Sequence, residues 1–433
     1  MITASLPLAD QVPALRSGRR SLLAEVETVC DRLEALDPQV QAFLPEADRR
    51  ARLRRDAQAL LERYPDPAAR PPLFGAFLAV KDIFRVEGFA TGCGTALPSS
   101  LFDGPEAACV TNLRQAGALI VGKTVTTEFA YLEPGPTRNP HNLGHTPGGS
   151  SSGSAAAAAA GFCALALGTQ TVGSVIRPAA YCGVVGYKPS YGRISPEGVI
   201  PFSRSADHIG CFTADAAGMA LAAAVLCRAW EPAAVTRRPV LGVPEGPYLM
   251  QATAEGLGRF DAQVAYLTAA GYTVKRVPAL TKPQAVAARH RQMIAAELAE
   301  VHREWFTAYE GLYRPLTAAL IREGQTVRPE DLAAARQGRA HLRAKLHEQM
   351  RDAGIDLWVC PAAPGPAPEG ISSTGDSAMN LPWTHAGLPV VTLPAGRAAN
   401  GLPLGLQVAA PFMADERLLA WAGPLAAVLG ELG

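Results

Sequence analysis

The sequence predicts an α/β protein built on a largely buried sheet, and three observations carry that prediction. Short apolar runs of strand length, such as FLAV at 77–80 and LPVVTLPAG at 388–396, are bounded by Gly, Pro and other turn formers. Longer segments with apolar residues three and four apart alternate with them. The 433 residues are 48% hydrophobic and 18% charged, a composition able to bury a large core. Strands that are continuously apolar and alternate with helices make a layered α/β domain.

Residues 18–64 open the chain with helical periodicity: Leu22, Val26, Val29, Leu33 and Leu36 predict two or three helices. Arginines at 51–63 are interspersed with acids at helical spacing and read as a solvated helix face. A Pro-rich break at 64–72 leads into FLAV, a strand that delivers Lys81. A helix around 105–116 and a second buried strand within 117–124 follow. From 139 to 210, Gly, Ser and Pro predominate, broken by an alanine run and by ALALG and VVGY, so loops and short elements at close range are expected. Residues 213–227 form a buried helix with Thr213 as its N-cap. After a crossover at 230–239, VLGVP is a strand, and 251–270, 284–309 and 329–352 are helices. IDLWVCPA and LPVVTLPAG are two more strands, and 416–432 is a terminal helix. The chain has no internal repeat.

Forty basic and 39 acidic side chains leave a net charge of +1, so no overall field favours nucleic acid or anionic lipid. The first 20 residues lack a basic stretch followed by an apolar run, and no window approaches ~18 consecutive apolar residues, so a cytoplasmic protein without a membrane anchor is expected. Eight scattered cysteines form no C-x-x-C pair and read as reduced core residues. Three motifs match chemistry that their context contradicts. Residues 117–124 fit G-x-x-x-x-G-K-T, but the four intervening residues, Ala-Leu-Ile-Val, are themselves the strand. His141 and His145 are four apart, but Pro140, Gly144 and Pro147 preclude a shared helix face for a metal. Residues 149–153 fit G-x-S-x-G with Ser151 as nucleophile, and Asp356 and His385 would complete that triad. The turn formers at 136–147 cannot be the strand such an elbow requires.

A second Gly/Ser cluster carries a different possibility. Thr171-Val172-Gly173-Ser174 is a short turn whose successive N–H groups can face one concavity, as an oxyanion requires, and its serine is a candidate nucleophile. Taken with AVKDIF at 79–84, GGSSSGSAAAAAAG at 148–161 and GTQTVGSVIRPAAYCGVVGYKPSYGRIS at 168–195, the sequence resembles the amidase signature family. The match runs across about 74–215 and resumes in GLPVVTLPAG and NGLPLGLQVAAPF, and the 24 positions between the two loop serines also fit the family.

The resemblance implies a large mixed sheet sandwiched between helical layers in one domain, 1–433. Within it, 1–72 is an N-terminal helical region, 73–228 the signature core and 229–433 a second half lining the substrate channel. It implies Lys81 as base, Ser150 as bridging serine behind a cis Gly149–Ser150 peptide, and Ser174 as nucleophile. Ser151 would support them, and the N–H groups of Thr171, Val172, Gly173 and Ser174 would form the oxyanion hole. Neither cofactor nor metal is expected. The expected partner is a small-molecule amide or carbamate, with no nucleic acid and no membrane; a homodimer is left open. The expected reaction is C–N cleavage of small or aryl amides. Carbamate or biuret-type substrates are the alternative, followed by a glutamine-dependent amidotransferase subunit.

Three departures from the family pattern bear on the second loop: Gln170 and Val172 stand where Asp and Gly are usual, and Ile176 displaces an arginine to Arg177. Residues 300–385 are the expected specificity region, where WFTAYEGLYRPL and the Pro-rich 361–380 offer either aromatic walls and a lid or plain structure. Chelation by EDTA is expected to leave turnover unchanged; activity lost to EDTA and restored by added metal would contradict the metal-free reading.

Overall fold

The computed structural model describes residues 2–432. Three helices open the chain: α1 (Leu8–Arg16), α2 (Leu22–Val40) and α3 (Arg49–Arg63). The first lies ahead of the predicted periodic stretch and buries Leu8, Val12 and Leu15 at spacings of four and three. Ser21 caps α2 by accepting from the N–H of Ala24.

Alternation then follows: β1 (Phe77–Lys81), α4 (Ala108–Gln115), β2 (Leu119–Thr124), α5 (Ser152–Ala159), β3 (Leu165–Gln170), α6 (Ile176–Cys182), β4 (Val185–Lys188) and β5 (His208–Thr213). Next come α7 (Ala216–Leu226), β6 (Leu241–Glu245), α8 (Ala254–Ala269), β7 (Val274–Pro278), α9 (Pro283–Val301), α10 (Arg303–Tyr309), α11 (Pro315–Gln325) and α12 (Pro329–Ala353). The chain finishes with β8 (Leu357–Pro361), α13 (Leu381–Ala386), β9 (Val390–Arg397), β10 (Pro403–Ala409) and α14 (Asp415–Gly430).

The strands form one ten-stranded mixed sheet in the order β2-β1-β3-β5-β4-β9-β10-β8-β6-β7. Pairing is parallel at both ends and antiparallel through the middle, from β3/β5 to β10/β8. The inner strands are buried on both faces. In β1, Phe77 and Ala79 join the apolar layer under α2, α3 and α5, while Leu78 and Val80 join the larger layer opposite. Lys81 follows the first set. Edge strand β2 is covered by Arg52, which donates to the carbonyls of Ile120 and Val121. The other edge, β7, carries exposed Lys275 and Arg276 between half-buried Val274 and Val277, charges that discourage edge pairing.

Three sequence expectations are adjusted. Thr213 ends β5, and α7 is capped by Asp215, whose side chain accepts from Gly218 N–H. The single helix expected at 284–309 is two, broken at His302, and α11 lies in a stretch left unassigned. Strands β7 and β10 were also not foreseen: β7 is short and half-exposed, and β10 carries Pro403 and Gly405, which weaken a strand signal. No helix among the described residues is long and apolar enough to cross a membrane.

Helix α5 is the alanine run, and every residue of it is buried. It is packed tightly at Gly153, where a Cβ would stand 2.2 Å from the Ala42 carbonyl oxygen and 2.5 Å from the Val125 nitrogen. Both are backbone atoms that cannot swing aside. Gly153→Ala is therefore expected to destabilise the fold by at least the ~1–3 kcal/mol of an overpacked core; an unchanged thermal-unfolding midpoint would contradict this packing.

Candidate active site

Strand β1 ends by placing Lys81, completely buried, beneath the start of α5. Its Nζ lies 2.7 Å from Ser150 Oγ, 3.0 Å from Ser151 Oγ and 2.8 Å from Thr169 Oγ1. All three partners are neutral hydroxyls. Burial disfavours the ammonium form and brings the Lys81 pKa down to about 7, with Asp207 acting weakly in the opposite direction.

The loop before α5 is fixed by its carbonyls. Gly149–Ser150 is a cis peptide. Arg177 Nη2 donates to Gly149 O at 2.7 Å, Thr127 N–H to Ser150 O at 3.2 Å and Ser152 Oγ to Gly148 O at 2.8 Å. At Gly149 a Cβ would meet Thr374 Cγ2 at 2.5 Å, so only glycine fits under the 371–380 segment. Ser151 accepts from Lys81 and from Thr169 N–H, which ties the amine to the end of β3.

The second loop leaves β3 at Gln170. This residue, where the family pattern has an acid, anchors the loop as a neutral amide. Its Oε1 accepts from the N–H groups of Val175 and Ile176 at 2.8 and 2.9 Å, and its Nε2 donates to Thr384 Oγ1 at 2.8 Å. The displaced Arg177 remains useful one position on, because it reaches across to the Gly149 carbonyl and to Thr374 and so joins the two loops. Val172 packs its side chain against the main core.

Ser174 is 8% exposed. The structure brings Lys81, Ser150 and Ser151 into hydrogen-bond contact, while the Ser174 hydroxyl has no hydrogen-bond partner among the described residues. The N–H groups of Val172, Gly173 and Ser174 likewise meet no protein acceptor there, whereas the carbonyls of Thr171, Val172 and Gly173 are all engaged. Fixed carbonyls with free N–H groups are an arrangement that can receive an anion.

Beside this cluster lies a cavity of about 530 Å³ that touches Thr169 and Thr171, with walls including Ile83, Ile194, Ile200, Phe202 and Ile209. Asp207 sits at its edge, accepting from Thr171 Oγ1 at 2.6 Å and from the N–H groups of Phe202 and Ser203. Of the expected specificity region, the 371–380 segment reaches the loops: a Cβ on Gly173 would stand 2.5 Å from Asn380 Oδ1. The aromatics Trp305, Phe306 and Tyr313 instead pack among Phe102, Phe129 and His302 as core.

The rejected motifs have structural uses. Lys123 pairs with buried Asp82 at 2.7 Å. His141 and His145 each bond a carbonyl, of Cys182 and Ala367. Asp356 binds Arg237 and Val240 N–H, apart from His385, which contacts His290. His290 and Thr384 hold the second loop and were not singled out from sequence, since their partners are main-chain carbonyls more than a hundred residues away.

The match of the Amidase family model to residues 24–419 covers both loops and the lysine strand. The chain belongs to the Amidase family. It is thus an amide-hydrolysing enzyme. Over 471 aligned positions it is 30% identical to a glutamyl-tRNA(Gln) amidotransferase subunit of Synechococcus sp. (strain RCC307), covering 96% of this chain and 95% of that protein. Among solved structures it superposes on a crystal structure of an amidase with a TM-score of 0.90 at 32% identity, covering 98% of this chain and 100% of the other. The native peptide amidase of Stenotrophomonas maltophilia gives a TM-score of 0.84 at 25% identity, with 99% and 97% covered.

An amine with a pKa near 7 is a free base above that pH. For a reaction in which it accepts a proton, kcat/KM should rise with pH through about 7 to a plateau. A profile flat from pH 5.5 to about 8.5 would exclude the amine as the base.

Proposed function

We propose that this enzyme hydrolyses small or aryl amides through Ser174 as nucleophile, Ser150 as proton bridge and Lys81 as base. The observation that carries the reading is the 2.7 Å contact between Lys81 Nζ and Ser150 Oγ in a pocket where, among the described residues, no carboxylate touches the amine. A free amine there accepts the Ser150 proton as Ser150 accepts that of Ser174, and Ser174 Oγ bonds to the carbonyl carbon. The N–H groups of the 171–174 turn receive the oxyanion, each donor worth roughly 3–4 kcal/mol to the transition state. Collapse expels the amine, which takes the proton back along the same path, and water then cleaves the acyl-enzyme. Ser151 keeps Lys81 aligned, and Gly149 provides the side-chain-free approach to Thr374. The apolar part of the cavity wall, Ile83, Ile194, Ile200, Phe202 and Ile209, and the cavity's 530 Å³ support a small or aryl acyl or amine group, within the ~300–1,000 Å³ of ordinary ligand sites.

A second reading, an amidotransferase component that opens glutamine and passes on ammonia, is favoured by the near full-length likeness to the Synechococcus protein. A panel tested with the purified chain alone separates the readings: an aliphatic amide, an anilide, an aryl carbamate, a biuret-type compound and glutamine. Turnover of the amide or anilide is expected. Glutamine hydrolysis that appears only with added partner proteins would favour the second reading. Ser174→Ala should lower kcat by about four orders of magnitude or more, and Lys81→Ala nearly as much in a folded protein. A serine-directed phosphonate should label Ser174; labelling of Ser151 instead would restore the G-x-S-x-G alternative.

A further inference from the structure

Each free N–H of the 171–174 turn shares a peptide unit with the carbonyl of the residue before it; the Gly173 carbonyl is held by the backbone N–H of Arg177, and the other two are held by side chains from distant helices. The Thr171 carbonyl, in the unit that presents Val172 N–H, accepts from His290 Nε2 at 2.9 Å. The Val172 carbonyl, in the unit that presents Gly173 N–H, accepts from Thr384 Oγ1 at 2.7 Å. A peptide whose oxygen accepts a hydrogen bond is polarised, so its N–H donates more strongly, and its plane can no longer rotate. The Thr171–Val172 unit has particular need of this, because Val172 puts a branched side chain where the family pattern has glycine.

His290 projects from α9 and is fully buried. A carbonyl only accepts, so His290 Nε2 carries the hydrogen. Burial holds the ring neutral, its pKa down at about 4, which leaves Nδ1 as a lone pair. His385 Nδ1 lies 3.1 Å from that lone pair and must be the donor. His385 is held neutral as well, its pKa pressed to about 2 by burial first and then by His290, Arg339 and Arg289. Its Nε2 is therefore bare, and among the described residues it has no partner. The hydrogen bonds all run one way, from His385 to His290 to the Thr171 carbonyl.

We propose that His290, with its tautomer set by His385, is a positioning residue of the oxyanion hole: it fixes the Thr171–Val172 peptide so that Val172 N–H meets the oxyanion. This rests on the reading of Ser174 as nucleophile. Neither histidine touches substrate, and their effect is confined to the transition state, where the oxyanion is fully developed.

The test compares His290→Phe, which keeps the ring volume without the N–H, with His290→Gln, whose amide nitrogen can reach the same carbonyl. Each is assayed on the best substrate of the panel and with phenylboronic acid, which forms a tetrahedral adduct on a nucleophilic serine. His290→Phe should lose about tenfold or more in kcat, short of the ~10²–10³ of a donor removed outright, with KM within about twofold. Boronate affinity should weaken in the same proportion, and His290→Gln should recover most of both. Parental kcat in folded His290→Phe, or equal impairment in His290→Gln, overturns the proposal. So does a rise in KM with boronate affinity unchanged. Should His290→Phe fail to fold, His385→Phe removes the donor to His290, and parental kcat and boronate affinity there overturn it too. A parent enzyme that reacts with neither boronate nor phosphonate at Ser174 refutes the nucleophile assignment first, and this proposal with it.

Discussion

An amine sealed away from water without a counter-ion is the constraint on which the surrounding structure depends. A buried cation without a partner is costly, so Lys81 gives up its proton at about pH 7, far below an ordinary lysine, provided no carboxylate comes within reach. The fold meets that condition actively. Asp82, the next residue in the chain, is tied to Lys123 and to Gly92 N–H. Asp207, the one acid whose charge is felt at the amine, is occupied by the Thr171 hydroxyl and two backbone N–H groups. What remains around Lys81 is a ring of hydroxyls, which can give or take a proton without becoming stable ions.

The same preference for neutral partners governs the two loops. Gln170 binds two N–H groups and a threonine hydroxyl with an amide, where an acid would bring a further negative charge near the amine. Arg177 is the cation of the group, and it is occupied by the Gly149 carbonyl and Thr374. His290 and His385 are both uncharged. Reactive geometry is thus held by directed hydrogen bonds from α9, α13, the 371–380 segment and β3, with little reliance on ion pairs.

Much of this was legible in the chain. FLAV marked β1 because it is short, apolar and bounded by turns, and its last residue is the buried lysine. The alanine run marked the close packing that α5 shows, since only close packing needs eight small residues in succession. The cis peptide fell where the family resemblance placed it. What stayed hidden has a common cause. Periodicity reports which face of an element is apolar, but not which main-chain carbonyl a polar side chain will meet. His290 sits in a helix with an ordinary pattern, and its partner is 119 residues away. Strand β7 escaped because an edge exposed to water carries charges that read as loop. The cap of α7 was misplaced by two residues because Thr213 and Asp215 are both good caps and only the strand's extent decides between them.

Helix α5 has no polar face and no exposed residue, and backbone atoms of its neighbours stand where the Gly153 side chain would be. Divergence therefore has unequal access to the two sides of the Lys81, Ser150 and Ser151 cluster. From behind, almost any enlargement is excluded, so the position of Ser150 and Ser151 is effectively frozen for every descendant sequence that keeps the sheet. In front, the 191–209 segment lines the cavity and the 371–380 segment meets the 171–174 turn. New substrates would be acquired by redrawing those loops, while the machinery behind them is inherited unchanged.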